Sequence, residues 1–154
     1  MLCLAAAILA LFLAQLPNDV RSDWFRSLIR PEFLPRELER KIGFIWTAIF
    51  LMAGLGTAVS LAAKQSRQRK SIQVGLIGFC LLLNMTYTYV FTYRHDLYLA
   101  TGVAAGLAVV LLLLLFAVIR SRLWLAVALH APHFGWVCFA TYATLRMAQL
   151  NSGT

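Results

Sequence analysis

Residues 97–119 read LYLATGVAAGLAVVLLLLLFAVI, twenty-three positions without one charge. A helix of about 20 apolar residues crosses the hydrocarbon core of a bilayer. A helix on the surface of a soluble domain keeps a polar face opposite its apolar stripe, and this stretch has none at any register. It reads as a membrane span, and the remaining sequence can be interpreted outward from it.

Three further blocks, 42–63, 72–93 and 123–145, are long enough to span, and a shorter uncharged run occupies 1–16. The block at 123–145 is the least oily, because it contains His130, Pro132 and His133. The pattern predicts an all-α integral membrane protein, a five-transmembrane-helix bundle forming a single domain over 1–154. A long loop at 17–41 joins the first two spans. Run 1–16 could instead be a signal peptide. It has no basic segment before its apolar part, and its small residues Ala5, Ala6 and Ala7 stand at its start rather than its end. The expectation is a span whose start is set a few residues late.

Composition agrees. Of 154 residues 61% are hydrophobic and 13% charged, whereas soluble domains carry about a quarter charged residues. The mean hydropathy of +0.76 points the same way. A soluble globule of this size could not hide so much apolar surface, and disordered chains lack it. The net charge of +8 does not imply nucleic acid, since the basic residues cluster in connectors, where lipid head groups are their partner. With five spans, eight basic residues fall on one side and six on the other, so neither orientation nor host membrane is specified. Cys3, Cys80 and Cys138 lie within apolar blocks without CxxC spacing and read as small buried hydrophobes.

Within spans, small residues mark close helix contacts. Gly102 and Gly106 form a GxxxG; packing inside one bundle is the plain reading, and a homodimer seam the sharper one. Gly54, Gly56, Gly75 and Gly78 suggest similar close approaches.

Four features carry the functional reading. The first loop holds Trp24, Phe25 and Phe33 with Pro31 and Pro35; prolines lower the entropy cost of ordering a loop, and loops this long are usually functional. Asn84 stands near the middle of the third block, where an unpaired amide is costly and must find a partner. On its helical face follow Tyr87, Thr88 and Phe91. Aromatic stripes recur at Trp46 and Phe50 and at Trp136 and Phe139. Such stripes are common in ordinary cores, but three of them beside a mid-membrane Asn favour a cavity. His130 and His133, spaced i, i+3, invite a metal; a zinc site needs three or four ligands, so no metal is expected. Hydrogen bonds to neighbours and to carbonyls freed by Pro132 are expected instead. No catalytic set is found, and the His95–Asp96 pair reads as a helix cap and surface contact.

These residues resemble a known family. Trp24-Phe-x-x-Leu-x-x-Pro31-x-Phe33-x-Pro35 looks like the first-loop signature of the TspO/MBR family, the tryptophan-rich sensory proteins related to the mitochondrial translocator protein. Phe44-Ile-Trp46-Thr47-x-x-Phe50-x-Met52-x-Gly54 is similar to its second span, Leu83-Asn84-x-x-Tyr87-Thr88-x-x-Phe91 to its third, and Pro132-His133-x-x-Trp136-Val-x-Phe139-Ala140 with Leu150-Asn151 to its fifth. The resemblance implies a bundle, commonly dimeric, whose pocket is closed by the first loop. Relatives bind porphyrins, haem and other tetrapyrroles, sterols and benzodiazepine-type compounds, in transport, sensing or regulation. No cofactor is required; porphyrin or haem would be a ligand. By position, Trp24, Pro31 and Pro35 would belong to the lid, and Trp46, Phe50, Asn84, Tyr87, Phe91, Pro132, His133, Trp136, Phe139 and Ala140 to the ligand site. Tyr87 stands where the family usually has tryptophan, and His133 where it usually has tyrosine; these departures bear on ligand identity more than on fold. A porphyrin needs flat apolar walls and cations at one edge, and Arg26 and Arg30 could serve propionates or lipid head groups. The expected partners are therefore the bilayer, a tetrapyrrole or sterol-like molecule and a second copy of the chain, without enzyme activity. The alternatives are a membrane enzyme that degrades porphyrin and a structural or partner-regulating subunit without ligand.

Overall fold

The computed structural model describes residues 22–152, excepting the side chains of Arg36, Glu39 and Arg40. The expected span at 1–16 lies outside them. Every regular element described is helical. A short α1 (Asp23–Ser27) is followed by four long helices: α2 (Arg36–Ala62), α3 (Arg67–Tyr89), α4 (Leu97–Arg120) and α5 (Trp124–Leu150). The end of α3 widens into a π turn over Val90–Arg94.

The helices start where the sequence offers caps. Ser22 Oγ accepts from Phe25 N at the start of α1, Ser66 Oγ from Arg69 N at α3, and Asp96 Oδ1 from Leu99 N at α4. The expected cap at Asp96 is present. His95 beside it takes a left-handed conformation with φ 55°, which lets the chain reverse between α3 and α4 within two residues. Pro35 precedes α2 and leaves its carbonyl to Leu38 N at 3.0 Å. The loop expected at 17–41 therefore ends earlier, since α2 begins at Arg36, and it contains α1. The other long helices likewise overrun the apolar blocks, because polar residues at the interface continue a helix that is already nucleated.

Contacts concentrate between α4 and α5, then between α3 and α4 and between α2 and α5, while α2 and α3 barely touch. The order around the bundle is α2, α5, α4, α3. Helix α4 supplies the apolar spine through Leu107, Leu111, Leu114 and Val118, all at most 2% exposed. Lipid tails are as apolar as leucine, so this spine holds by dispersion and close packing rather than by escape from water. Polar knots add direction. Gln73 bridges Gln65 (3.1 Å) and Ser121 (3.2 Å), and Gln65 donates to the Ser60 carbonyl at 2.7 Å. This ties the α2–α3 and α4–α5 connections together at one end of the bundle.

Among the described residues, Lys41–Ala62, Arg67–Arg94 and Leu97–Arg120 are long and apolar enough to cross a membrane. Helix α5, at 27 residues, is long enough but more polar. Of the glycines expected to permit close approach, Gly56 does so: a Cβ there would lie 2.9 Å from His130 Nε2 and 3.1 Å from Leu129 Cβ. Gly75, Gly78, Gly102 and Gly106 have nothing within 4 Å of an added Cβ. Among the described residues they make no close helix contact. Cys138 is likewise exposed rather than buried, unlike Cys80.

Candidate functional site

At the end of the bundle where α2 begins and α5 ends, three helices and the first loop enclose a cavity of about 90 Å³. Trp46 comes from the second turn-pair of α2, Asn84, Tyr87 and Phe91 from one face of α3 and its π turn, and Trp136, Phe139 and Ala140 from one face of α5. Each set follows helical spacing, so each is one stripe turned inward. The loop supplies the roof through Phe25 and Leu34, both buried.

The walls are braced by ring contacts. Trp46 stacks on Phe50 at 5.0 Å between centroids and meets Trp136 edge-on at 6.1 Å. Tyr87 stacks on Phe91 at 5.7 Å, and Trp136 lies 5.3 Å from Phe139. Edge-on and offset pairs of this kind hold aromatic side chains in defined orientations. The result is a rigid, flat-sided lining.

Its polar content is sparse. Asn84, 4% exposed, reaches His133 Nε2 at 3.4 Å. With the amide nitrogen donating, the ring accepts at Nε2 and carries its proton on Nδ1. Tyr87 and Thr144 share a hydrogen bond of 3.1 Å across the cavity, linking α3 to α5. Among the described residues Trp136 Nε1 is buried without a hydrogen-bond partner.

Seven of the residues expected from the sequence line this space: Trp46, Asn84, Tyr87, Phe91, Trp136, Phe139 and Ala140. The others stand behind or beside it. Phe50 backs Trp46, and His133 meets both rings edge-on, at 5.6 and 6.2 Å. His133 opens instead onto a smaller void of about 30 Å³ deeper in the bundle, shared with Asn84, Cys80 and His130. Pro132 lies inside α5 without interrupting it. Trp24 packs over the outside of the roof, stacked 4.0 Å on His95 and edge-on to Phe91 at 5.6 Å. Pro31 is buried in the loop and Pro35 exposed at its end.

One expectation needs correction. Among the described residues neither nitrogen of His130 has a hydrogen-bond partner; the ring is instead packed against Gly56. Arg26 and Arg30, expected to serve propionates or lipid head groups, do not line the cavity. Arg30 lies 5.0 Å over the Phe25 ring and donates to its carbonyl at 3.2 Å, bracing the loop, while exposed Arg26 stands 4.0 Å from Asp23. Phe25 and Thr88, singled out in the sequence, also line the cavity, and sequence reading missed Leu34, Ile42, Ala143, Thr144 and Met147. Extending the α5 stripe from Trp136 and Ala140 by further steps of three and four would have found Ala143, Thr144 and Met147.

The roof is fastened from the far end of the sequence. Asn151, just after α5, accepts from Ile29 N at 2.9 Å and donates to Ile29 O at 2.9 Å and to Met147 O at 2.8 Å. Its amide acts as a two-sided clip between the loop and α5. Phe33 adds an apolar contact on the same side, stacked on Tyr142 at 5.1 Å.

Comparison with known proteins places this arrangement. The chain is similar to the tryptophan-rich protein TspO of Chlorobaculum tepidum, with 26% identity over 156 residues, covering 97% of this chain and 94% of that one. It is also similar to the tryptophan-rich protein TspO of Bacillus cereus, with 27% identity over 135 residues, or 83% and 80% of the two chains. The uncharacterized membrane protein YtaB of Bacillus subtilis shares 26% over 132 residues, covering 86% and 83%. With residues 1–150 matching the family as a whole, the chain belongs to the TspO/MBR family of membrane proteins.

Proposed function

We propose that this protein binds a tetrapyrrole, porphyrin or haem, or a similar planar amphipathic molecule, in the cavity under the first loop. It would serve transport, sensing or regulation rather than catalysis, in a five-span bundle whose first span is 1–16. The observation that carries the reading is the lining itself: flat aromatic walls on three helices around a buried, unpartnered indole N–H. Burying a donor unpaired is costly, and a guest with an acceptor on a flat apolar body relieves that cost. The relatives named tryptophan-rich protein TspO support the same reading. A homodimer with its seam at Gly102 and Gly106 is proposed alongside, because among the described residues nothing lies within 4 Å of an added Cβ at either glycine.

Pockets for small ligands run to about 300–1,000 Å³, well above the 90 Å³ enclosed here. A porphyrin therefore enters only if the roof moves, and Phe25 and Leu34 are the side chains that must leave. Titration of detergent-solubilised protein with protoporphyrin IX, followed by its absorbance band, tests this. Saturable one-to-one binding that weakens in Trp136→Ala and Asn84→Ala is expected. Binding that is indifferent to both substitutions would refute the site, and protein-dependent, saturable loss of the porphyrin absorbance would favour a degradative enzyme instead.

A further inference from the structure

At the opposite end of the bundle a second and larger cavity, about 390 Å³, lies between α3 and α4. Its walls are apolar: Ile72 and Leu76 from α3, Leu113 and Phe116 from α4. Its floor is the hydrogen-bonded pair Gln73–Ser121, in which Gln73 is 1% exposed. At its mouth stand two exposed arginines, Arg69 on the first turn of α3 and Arg120 on the last turn of α4. Among the described residues neither guanidinium meets a carboxylate; Arg120 lies 5.8 Å over the Phe116 ring.

The surroundings are of one sign. Lys64, Arg67, Lys70 and Arg122 occupy the same end of the bundle, whereas the acidic residues among those described, Asp23, Glu32, Glu37, Glu39 and Asp96, lie at the other end. Among the described residues no fixed anion stands beside the two cations that line the groove. From this geometry we infer that the α3–α4 groove is a binding site for one anionic phospholipid. Its phosphate lies between Arg69 and Arg120, and one acyl chain runs down the wall formed by Ile72, Leu76, Leu113 and Phe116. A free anion would leave the apolar walls unused. A zwitterionic lipid brings a compensating ammonium into a wholly basic neighbourhood. Cations near the head-group level favour anionic lipid, and guanidinium matches phosphate by paired hydrogen bonds.

The test compares two double variants that remove the same charge from the same end. Arg69→Gln/Arg120→Gln strips the mouth of the groove, and Arg67→Gln/Arg122→Gln strips neighbours that do not line it. Full-length protein in a neutral detergent is titrated with phosphatidylglycerol, phosphatidylcholine or inorganic phosphate. Thermal unfolding gives the linked stabilisation, and native mass spectrometry the lipid count. Phosphatidylglycerol is expected to raise the unfolding temperature of the parent protein and to remain bound one per chain. Affinity should fall roughly tenfold or more in the groove variant and less than threefold in the control, since general attraction to the surface is shared by both. Ala117→Trp, which fills the groove without touching its charge, should also displace the lipid. Equal losses in the two double variants would reduce the effect to diffuse surface charge and overturn the proposal. So would equal binding of phosphatidylcholine, a full shift with inorganic phosphate alone, or lipid retention by Ala117→Trp.

Discussion

Helices α4 and α5 are neighbours along the chain and share the most extensive contact in the bundle, yet they bury different chemistry. Every buried residue of α4 is apolar, from Leu97 to Val118. Helix α5 buries His130, His133 and Thr144 among its alanines and Val137, and it contributes Trp136, Phe139 and Ala140 to the cavity. The most hydrophobic helix is thus scaffold, and the more polar one lines the candidate site. The difference follows from the solvent. In lipid an apolar surface gains little by being buried, so a polar side chain in the interior is kept there by a partner or by a guest.

The sharpest way to break this contrast is to cut the scaffold. Leu111→Ala on α4 should cost about 3 kcal/mol, toward the lower half of the range for buried leucines because only packing is lost; unfolding in detergent measures it, and porphyrin affinity in the surviving folded protein should not change. Next comes the seam between α2 and α5. Gly56→Ala drives a methyl into His130 and should destabilise by about 2 kcal/mol, as overpacking does. His130→Ala added to it should recover most of that loss, a coupling that a double-mutant cycle reads directly.

Trp136→Ala reverses the pattern. It should weaken porphyrin at least tenfold, about 1.4 kcal/mol, whereas Trp124→Ala, at a side chain 65% exposed, should leave affinity within a factor of two. Smaller still is Asn151→Ala, which removes the clip on Ile29 and should cost about 1 kcal/mol of loop closure. Its effect should appear as faster porphyrin association in stopped-flow absorbance, with little change in global unfolding. Gly75→Ala, on an open face, should move stability by less than about 0.5 kcal/mol.

What the sequence revealed divides along the same line. Long apolar runs made α2, α3 and α4 legible, because a span without charge has few alternatives. The inward stripes of Trp46, of Asn84 with Tyr87 and Phe91, and of Trp136 with Phe139 were legible from spacing alone. The roof was legible only in part: the first loop and its Phe25 stood out, but Leu34 sits in a loop with no period to read, and the pairing of Ile29 with Asn151 spans 122 positions. His130 misled because a histidine in a span suggests a hydrogen bond, while its role here is set by a glycine on another helix. The smallness of the cavity was equally hidden, since it depends on how far the loop descends.

The π turn at Val90–Arg94 has a consequence for how this protein tolerates length changes. A π turn holds one residue more than an α turn would. The surplus residue is taken up inside the turn, so deleting one position there other than Phe91 would restore ordinary pitch and keep the phase of the chain that follows. Phe91 and His95, the two rings on which Trp24 rests, would stay on a common face. The widened turn is thus a place where the chain can lose a residue and still keep the lid's seat.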